Sequence, residues 1–139
     1  LWYKNCKTRN YKMKKILIVA GDYYKDITKG LLSSALKKLP NNFRVKIIKV
    51  PGVFEIPVTI SKNIKKFDGF IALGCVIKGQ TPHFDFISSA TTNAIIEISI
   101  NSEKPVGNGI ITCLNFNQAV KRKFKGKEAA EAVLSILSQ

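Results

Sequence analysis

The chain contains a single histidine, His83, and it stands in a turn. The stretch reads Gly74-Cys75-Val76-Ile77-Lys78-Gly79-Gln80-Thr81-Pro82-His83-Phe84-Asp85 and closes an apolar run. An imidazole titrates near ~6.5, so it can take and return a proton around neutral pH. Lone turn histidines also serve as surface or capping groups, so the company His83 keeps decides between the two. Asp85 is placed either to orient the ring or to act as an acid in the first turn of a helix. Gly79-Gln80-Thr81, just before that helix, offers backbone N–H groups and a hydroxyl to an anion. A second cluster, Pro51-Gly52-Val53-Phe54-Glu55-Ile56-Pro57, combines a glycine that permits close approach, a ring and a carboxylate. Phe54 can present a face or edge to a flat heterocycle, and Glu55 can accept hydrogen bonds from hydroxyls or ring N–H groups. The bland alternative makes Phe54 core and Glu55 a helix-start acid, worth ~0.3–1 kcal/mol. Arg122 could grip a phosphate through two parallel hydrogen bonds, which lysine cannot do, although it is one cation among 23.

The elements that position these groups follow from hydrophobic patterning. Ile16–Ala20 is a continuous apolar run ending at Gly21-Asp22, the profile of a strand buried on both faces. From Lys25 to about Leu39 the apolar residues fall at helical spacing until Pro40-Asn41-Asn42 stops the pattern. Phe43–Val50 reads as a second strand and Phe54–Ile64 as a short helix with Pro57 in its first turn. Phe70–Val76 is a third strand and Phe84–Ile100 a long helix. Pro105–Thr112 contains a fourth strand, with helical segments from about Asn117 and about Lys127. This alternation predicts an α/β fold: one doubly wound, flavodoxin-like domain, a four-stranded parallel sheet with helices on both faces. In such sheets ligands gather outside the carboxyl ends of the strands. Those ends are Gly21–Tyr24, Pro51–Glu55, Gly74–His83 and the segment after Ile111. Tyr23 and Tyr24 follow the first strand, available for stacking or for rim packing.

Length and composition narrow the class. At 139 residues the chain suits one domain. Residues 16–139 carry the α/β pattern, and residues 1–15 read as a basic arm with six cations and no acid. Either the arm is genuine or Met13 marks the natural start. It has no apolar segment of secretory type, and no run reaches the roughly 18 residues of a membrane helix. Cys6, Cys75 and Cys113 are odd in number and widely spaced, which argues against a disulfide framework and a zinc site and fits a reducing, cytoplasmic setting. The formal charge of +14 resembles a nucleic-acid footprint. Its lysines are spread along the whole chain without a stacking motif, so solvation and an anionic substrate account for them. Neither nucleic acid nor membrane is expected as a partner.

Taken together, the motifs resemble those of the lumazine synthase family. The turn from Gly74 to Asp85 resembles the family signature, in which the histidine is the proposed general acid/base. Gly52–Pro57 is similar to its Gly-x-Phe-Glu-(Ile/Leu)-Pro pattern, and Gln118-Ala119-Val120-Lys121-Arg122 to its Gln-Ala-x-x-Arg. Tyr23-Tyr24 stands where the family shows Phe-Asn. The resemblance implies that Tyr23 stacks on a pyrimidine and that Tyr24 replaces an asparagine contacting a ribityl chain. It further places Val53, Phe54, Glu55, Val76 and Ile77 around that ligand, Asn108 as a residue reaching a neighbour's site, and Gly79, Gln80, Thr81 and Arg122 on phosphate. Lys125 stands in for a family lysine, in a segment shorter than usual after Arg122. The implied reaction condenses 5-amino-6-ribitylaminouracil with 3,4-dihydroxy-2-butanone 4-phosphate, with no cofactor and no metal. A homo-oligomer is implied too, a pentamer or an icosahedral sixty-subunit cage with sites shared between subunits, and riboflavin synthase as a partner. A weakly active scaffold of the same fold and a flavin- or nucleotide-binding module are the alternatives.

Overall fold

The computed structural model describes residues 12–139; most of the basic arm lies outside the described residues. Strand β1 (Lys15–Gly21) is followed by α1 (Lys25–Lys38), β2 (Arg44–Val50), a 3₁₀ turn (Val53–Glu55) and α2 (Ile56–Lys62). Then come β3 (Gly69–Ile77), α3 (His83–Ser102), β4 (Val106–Cys113), α4 (Phe116–Lys121) and α5 (Lys125–Leu137). The strands form one sheet in the order β2-β1-β3-β4, every neighbouring pair parallel.

β1 and β3 are the inner strands, and Ile16–Ala20 and Phe70–Leu73 are fully buried, as continuous apolar runs require. Alternation along β3 divides the core. Ile71, Leu73 and Cys75 join Ile16 and Ile18 against α1, α4 and α5. Phe70, Ala72 and Val76 join Leu17 and Val19 against α2 and α3. β2 is an edge, which is why Ile47 stays 39% exposed although it continues the apolar alternation.

Glycines set how closely helices approach. A methyl on Gly107 of β4 would collide with the Ala129 carbonyl of α5, and one on Gly126 of α5 with the Leu31 carbonyl of α1. The last helix is therefore seated backbone to backbone on the sheet and on α1. Its Ala129, Ala130, Val133 and Leu134 complete the core on that side.

One expectation changes in detail. The helix read from Phe54 is preceded by the 3₁₀ turn, and regular α-helix begins at Ile56. Pro57 has no N–H to donate backwards, and the Glu55 carboxylate accepts from the Gly52 N–H at 3.1 Å, which tightens the entry.

Candidate active site

In this strand order the chain steps from β1 to β2 on one side and then crosses back past β1 to β3 on the other, so the switch point lies between the carboxyl ends of β1 and β3. A cleft of about 610 Å³ opens there. Tyr23 and Tyr24 arrive from the end of β1, and Gly52, Val53, Phe54 and Glu55 from the segment after β2. Cys75, Val76 and Ile77 come from the end of β3, and His83 and Ile87 from the first turns of α3.

The first of these segments is pinned by Thr28, whose buried hydroxyl donates to the Gly21 carbonyl at 2.7 Å. The Tyr23 and Tyr24 rings meet edge to face at 4.9 Å, with an interplanar angle of 78°. Tyr24 is half-buried and packs on the core, while Tyr23 is 75% exposed with a ring face free. Burial, then Tyr23 and then Cys75, raise the Tyr24 hydroxyl above its ordinary titration range.

The Val53–Glu55 turn sits between two glycines. A methyl on Gly21 would lie 3.0 Å from the Gly52 carbonyl carbon, and one on Gly74 would lie 2.5 Å from Val53 Cγ1. This seat holds Val53 inward and leaves Phe54 projecting, 64% exposed. One Glu55 oxygen is engaged by Gly52, leaving the other for a ligand's hydroxyl or N–H.

His83 is the first residue of α3, directly after Pro82, and its side chain is exposed at the cleft. Asp85 is exposed as well and makes no hydrogen bond to it, consistent with an acid at a helix start. On the cleft floor the Cys75 thiol is pushed up to about 12, by burial first and by neighbouring Cys113 second. A thiol so placed stays neutral at physiological pH and is no nucleophile.

Of the residues read from the sequence, the cleft gathers Tyr23, Tyr24, Val53, Phe54, Glu55, Val76, Ile77 and His83. Gly79, Gln80 and Thr81 are exposed on the turn leading to His83. Arg122, Lys125 and Asn108 do not line their own chain's cleft. Arg122 closes α4 and donates to the Thr112 carbonyl at 3.3 Å. Lys125 pairs with Glu128 at 2.8 Å. Asn108 is exposed on edge strand β4, its Oδ1 accepting from the Ile110 N–H at 3.1 Å. Gly52, read from the sequence as a point of close approach, lines the cleft too, and Cys75 and Ile87 line it without having been assigned a ligand role from the sequence. Ile87 could have been found there, since it lies one helical turn after His83.

The cleft continues into a groove of about 430 Å³ between α2 and α3, lined by Phe54, Pro57, Val58, Ala90, Thr91 and Ala94. Thr91 is 3% exposed, yet its hydroxyl and that of Ser88 have no hydrogen-bond partner.

A family model described as 6,7-dimethyl-8-ribityllumazine synthase matches residues 13–139. The chain belongs to the 6,7-dimethyl-8-ribityllumazine synthase family. The protein of that name from Cutibacterium acnes is 36% identical over 133 residues, covering 89% of this chain and 80% of its own length. The one from Corynebacterium kroppenstedtii is 39% identical over 128 residues, covering 86% and 80%. The one from Bartonella tribocorum is 37% identical over 138 residues, covering 91% and 90%. The lumazine synthase match spans all four strands and every segment that builds the cleft.

Proposed function

We propose that the chain condenses 5-amino-6-ribitylaminouracil with 3,4-dihydroxy-2-butanone 4-phosphate, releasing 6,7-dimethyl-8-ribityllumazine, phosphate and water. The observation that carries this reading is the convergence of Tyr23, Phe54, Glu55 and His83 from three separate loops on one switch-point cleft, in a chain of this family. Tyr23, Phe54 and the Val76–Ile77 edge hold the flat pyrimidine, and the free Glu55 oxygen accepts from the ribityl chain or a ring N–H. His83 moves protons during imine formation, phosphate elimination and ring closure, a contribution of typically 10²–10⁴-fold. The N–H groups of the Gly79–Thr81 turn and the Arg122 guanidinium hold the leaving phosphate.

Arg122, Asn108 and Lys125 serve a neighbouring subunit's cleft in this reading, within a homo-oligomer that is a pentamer or a sixty-subunit cage. Support comes from their absence from their own cleft and from the unpartnered Thr91 hydroxyl in an apolar groove. Ile96 and Ile100 are also exposed one turn apart on α3. Buried hydroxyls without partners are costly, and a second chain can satisfy them.

The deciding experiment mixes purified protein with both substrates and follows lumazine absorbance and fluorescence against the uncatalysed background. Formation well above background is expected; a folded protein that gives no acceleration overturns the enzymatic reading. Co-expressing Arg122→Ala with His83→Ala subunits tests sharing. If sites are shared, about a quarter of them carry both intact residues and regain phosphate-substrate affinity together with turnover. If each site is built by one chain, no site carries both residues.

A further inference from the structure

The cations that look scattered in sequence do not stay scattered in the fold. A parallel sheet with crossover helices brings strand starts and helix ends to one pole, opposite the cleft. Lys12, Lys14 and Lys15 lead into β1, and the Arg44 N–H, at the start of β2, donates to the Lys14 carbonyl at 2.9 Å. Lys37 and Lys38 close α1 immediately before that strand. Lys62 closes α2, Lys65 and Lys66 occupy the turn into β3, and the Asp68 N–H donates to the Lys15 carbonyl at 2.8 Å. Lys104 precedes β4, its Nζ donating to the Ile64 and Phe67 carbonyls at 2.6 and 2.9 Å.

Among the described residues, the acids near this pole are Asp68, Glu97, Glu103 and Glu131. Lys38 is the only one of these cations in an ion pair, with Glu131 at 3.9 Å. By contrast Asp22, Asp26, Glu55, Asp85 and Glu128 all lie toward the cleft end of their elements. Helix carboxyl ends favour nearby cations, but that accounts for one or two per helix and leaves the β1, β2 and turn cations unexplained. The exposed aromatic residues Tyr23, Phe54, Phe86, Phe116 and Phe124 sit elsewhere. Among the described residues, the pole therefore offers charge without an exposed ring for stacking bases.

We infer that this pole is a binding surface for the phosphate backbone of duplex nucleic acid, independent of base sequence. Like charges gathered at one pole by a rigid sheet, all but Lys38 outside ion pairs, gain when condensed counterions are released from a polyanion. The cleft stays open while the opposite pole is occupied, so binding and catalysis are separable.

The test is fluorescence anisotropy of a labelled DNA duplex of about 30 base pairs, titrated with the intact protein over roughly 0.05–0.3 M salt. The variant Lys62→Gln/Lys65→Gln/Lys66→Gln is compared with Lys25→Gln/Lys29→Gln/Lys49→Gln, an equal loss of charge away from the pole. Each phosphate contact contributes about 0.9 to the slope of log affinity against log salt, and about fivefold in affinity near 0.15 M. The pole variant is expected to lose about 2.7 in slope and on the order of 10²-fold in affinity if all three lysines touch phosphate. The control variant is expected to lose little, and both keep wild-type turnover. Equal losses in the two variants would overturn the assignment and return the charge to general composition. No duplex binding near 0.15 M salt would overturn it, as would binding only to vesicles with about 30% phosphatidylserine.

Discussion

Gly74→Ala is the sharpest probe of how the fold holds the cleft. The added methyl would lie 2.5 Å from Val53 Cγ1, against about 3.5–4.0 Å for a relaxed carbon contact. A gap of roughly 1 Å or more has to be found. β3 cannot supply it, because Gly74 sits in an inner strand in register with Ile110 of β4, and Leu73 beside it pairs with Ala20 of β1. Val53 is 7% exposed and branched at Cβ, so its rotamer gives little. Gly21 blocks retreat on the other side. The Val53–Glu55 turn therefore moves outward, carrying Phe54 and Glu55 with it. Overpacking of this kind costs about 1–3 kcal/mol of stability. A displacement of about 1 Å at substrate-holding groups costs up to ~10²-fold in kcat/KM. Urea melts and steady-state lumazine formation measure the two effects. Val53→Ala, roughly 2 kcal/mol destabilising alone, makes room for the new methyl, so the double variant should be more stable than the summed singles by about 1–2 kcal/mol. Gly74→Ala with wild-type stability, KM and kcat would show that the glycine seat does not fix the turn.

Other expectations follow from single contacts. His83→Ala should fold normally and lower kcat by ~10²–10⁴-fold without abolishing turnover, since positioning survives; an unchanged kcat removes the proton-transfer role. Thr28→Val should lose about 1–3 kcal/mol in urea unfolding, because the Gly21 carbonyl loses its buried donor. Lys104→Met deprives the Ile64 and Phe67 carbonyls of their ammonium and should cost about as much, again read by urea. Cys75 predicts an alkaline effect with a definite sign. Its thiol titrates at about 12 when folded against 9.0 ordinarily, so the unfolded chain releases the proton first and stability falls as pH rises from about 9 toward 12. At about pH 10.5 this amounts to ~2 kcal/mol, and Cys75→Ala should show that much less loss between about pH 8 and 10.5 than wild type.

Much of this was legible in the residues. β1 and β3 announced themselves because inner strands of a parallel sheet need unbroken apolar runs, β2 and β4 by alternation, and strand ends in such a sheet mark the ligand site. The Tyr23, Phe54, Glu55 and His83 loops could thus be placed at one end without coordinates. The 3₁₀ turn was not legible, since Phe54 to Ile64 satisfies helical spacing equally well and only the Glu55–Gly52 bond and Pro57 shorten the entry. Nor did spacing reveal that Arg122 rests on Thr112, away from the cleft its chemistry suits. That outcome depends on how α4 packs beside β4. The lysines taught the same lesson in reverse, because even spacing along a chain says nothing about which pole the crossovers will carry them to.

The seating of α5 on β4 and α1 bears on how the molecule is made. β1 leaves the ribosome early, yet α5, which completes the cover over its Ile16 and Ile18, follows about a hundred residues later. At about 5–20 residues per second that interval is on the order of ten seconds. Through it α1 alone can shield that side of the sheet, and Gly107 and Gly109 present bare backbone where α5 will sit. Nascent chains are thus exposed to aggregation until α5 emerges, and message truncated before Lys125 yields a product with an unfinished core. Emergence of α5, rather than of the sheet, is then the step that permits a finished core.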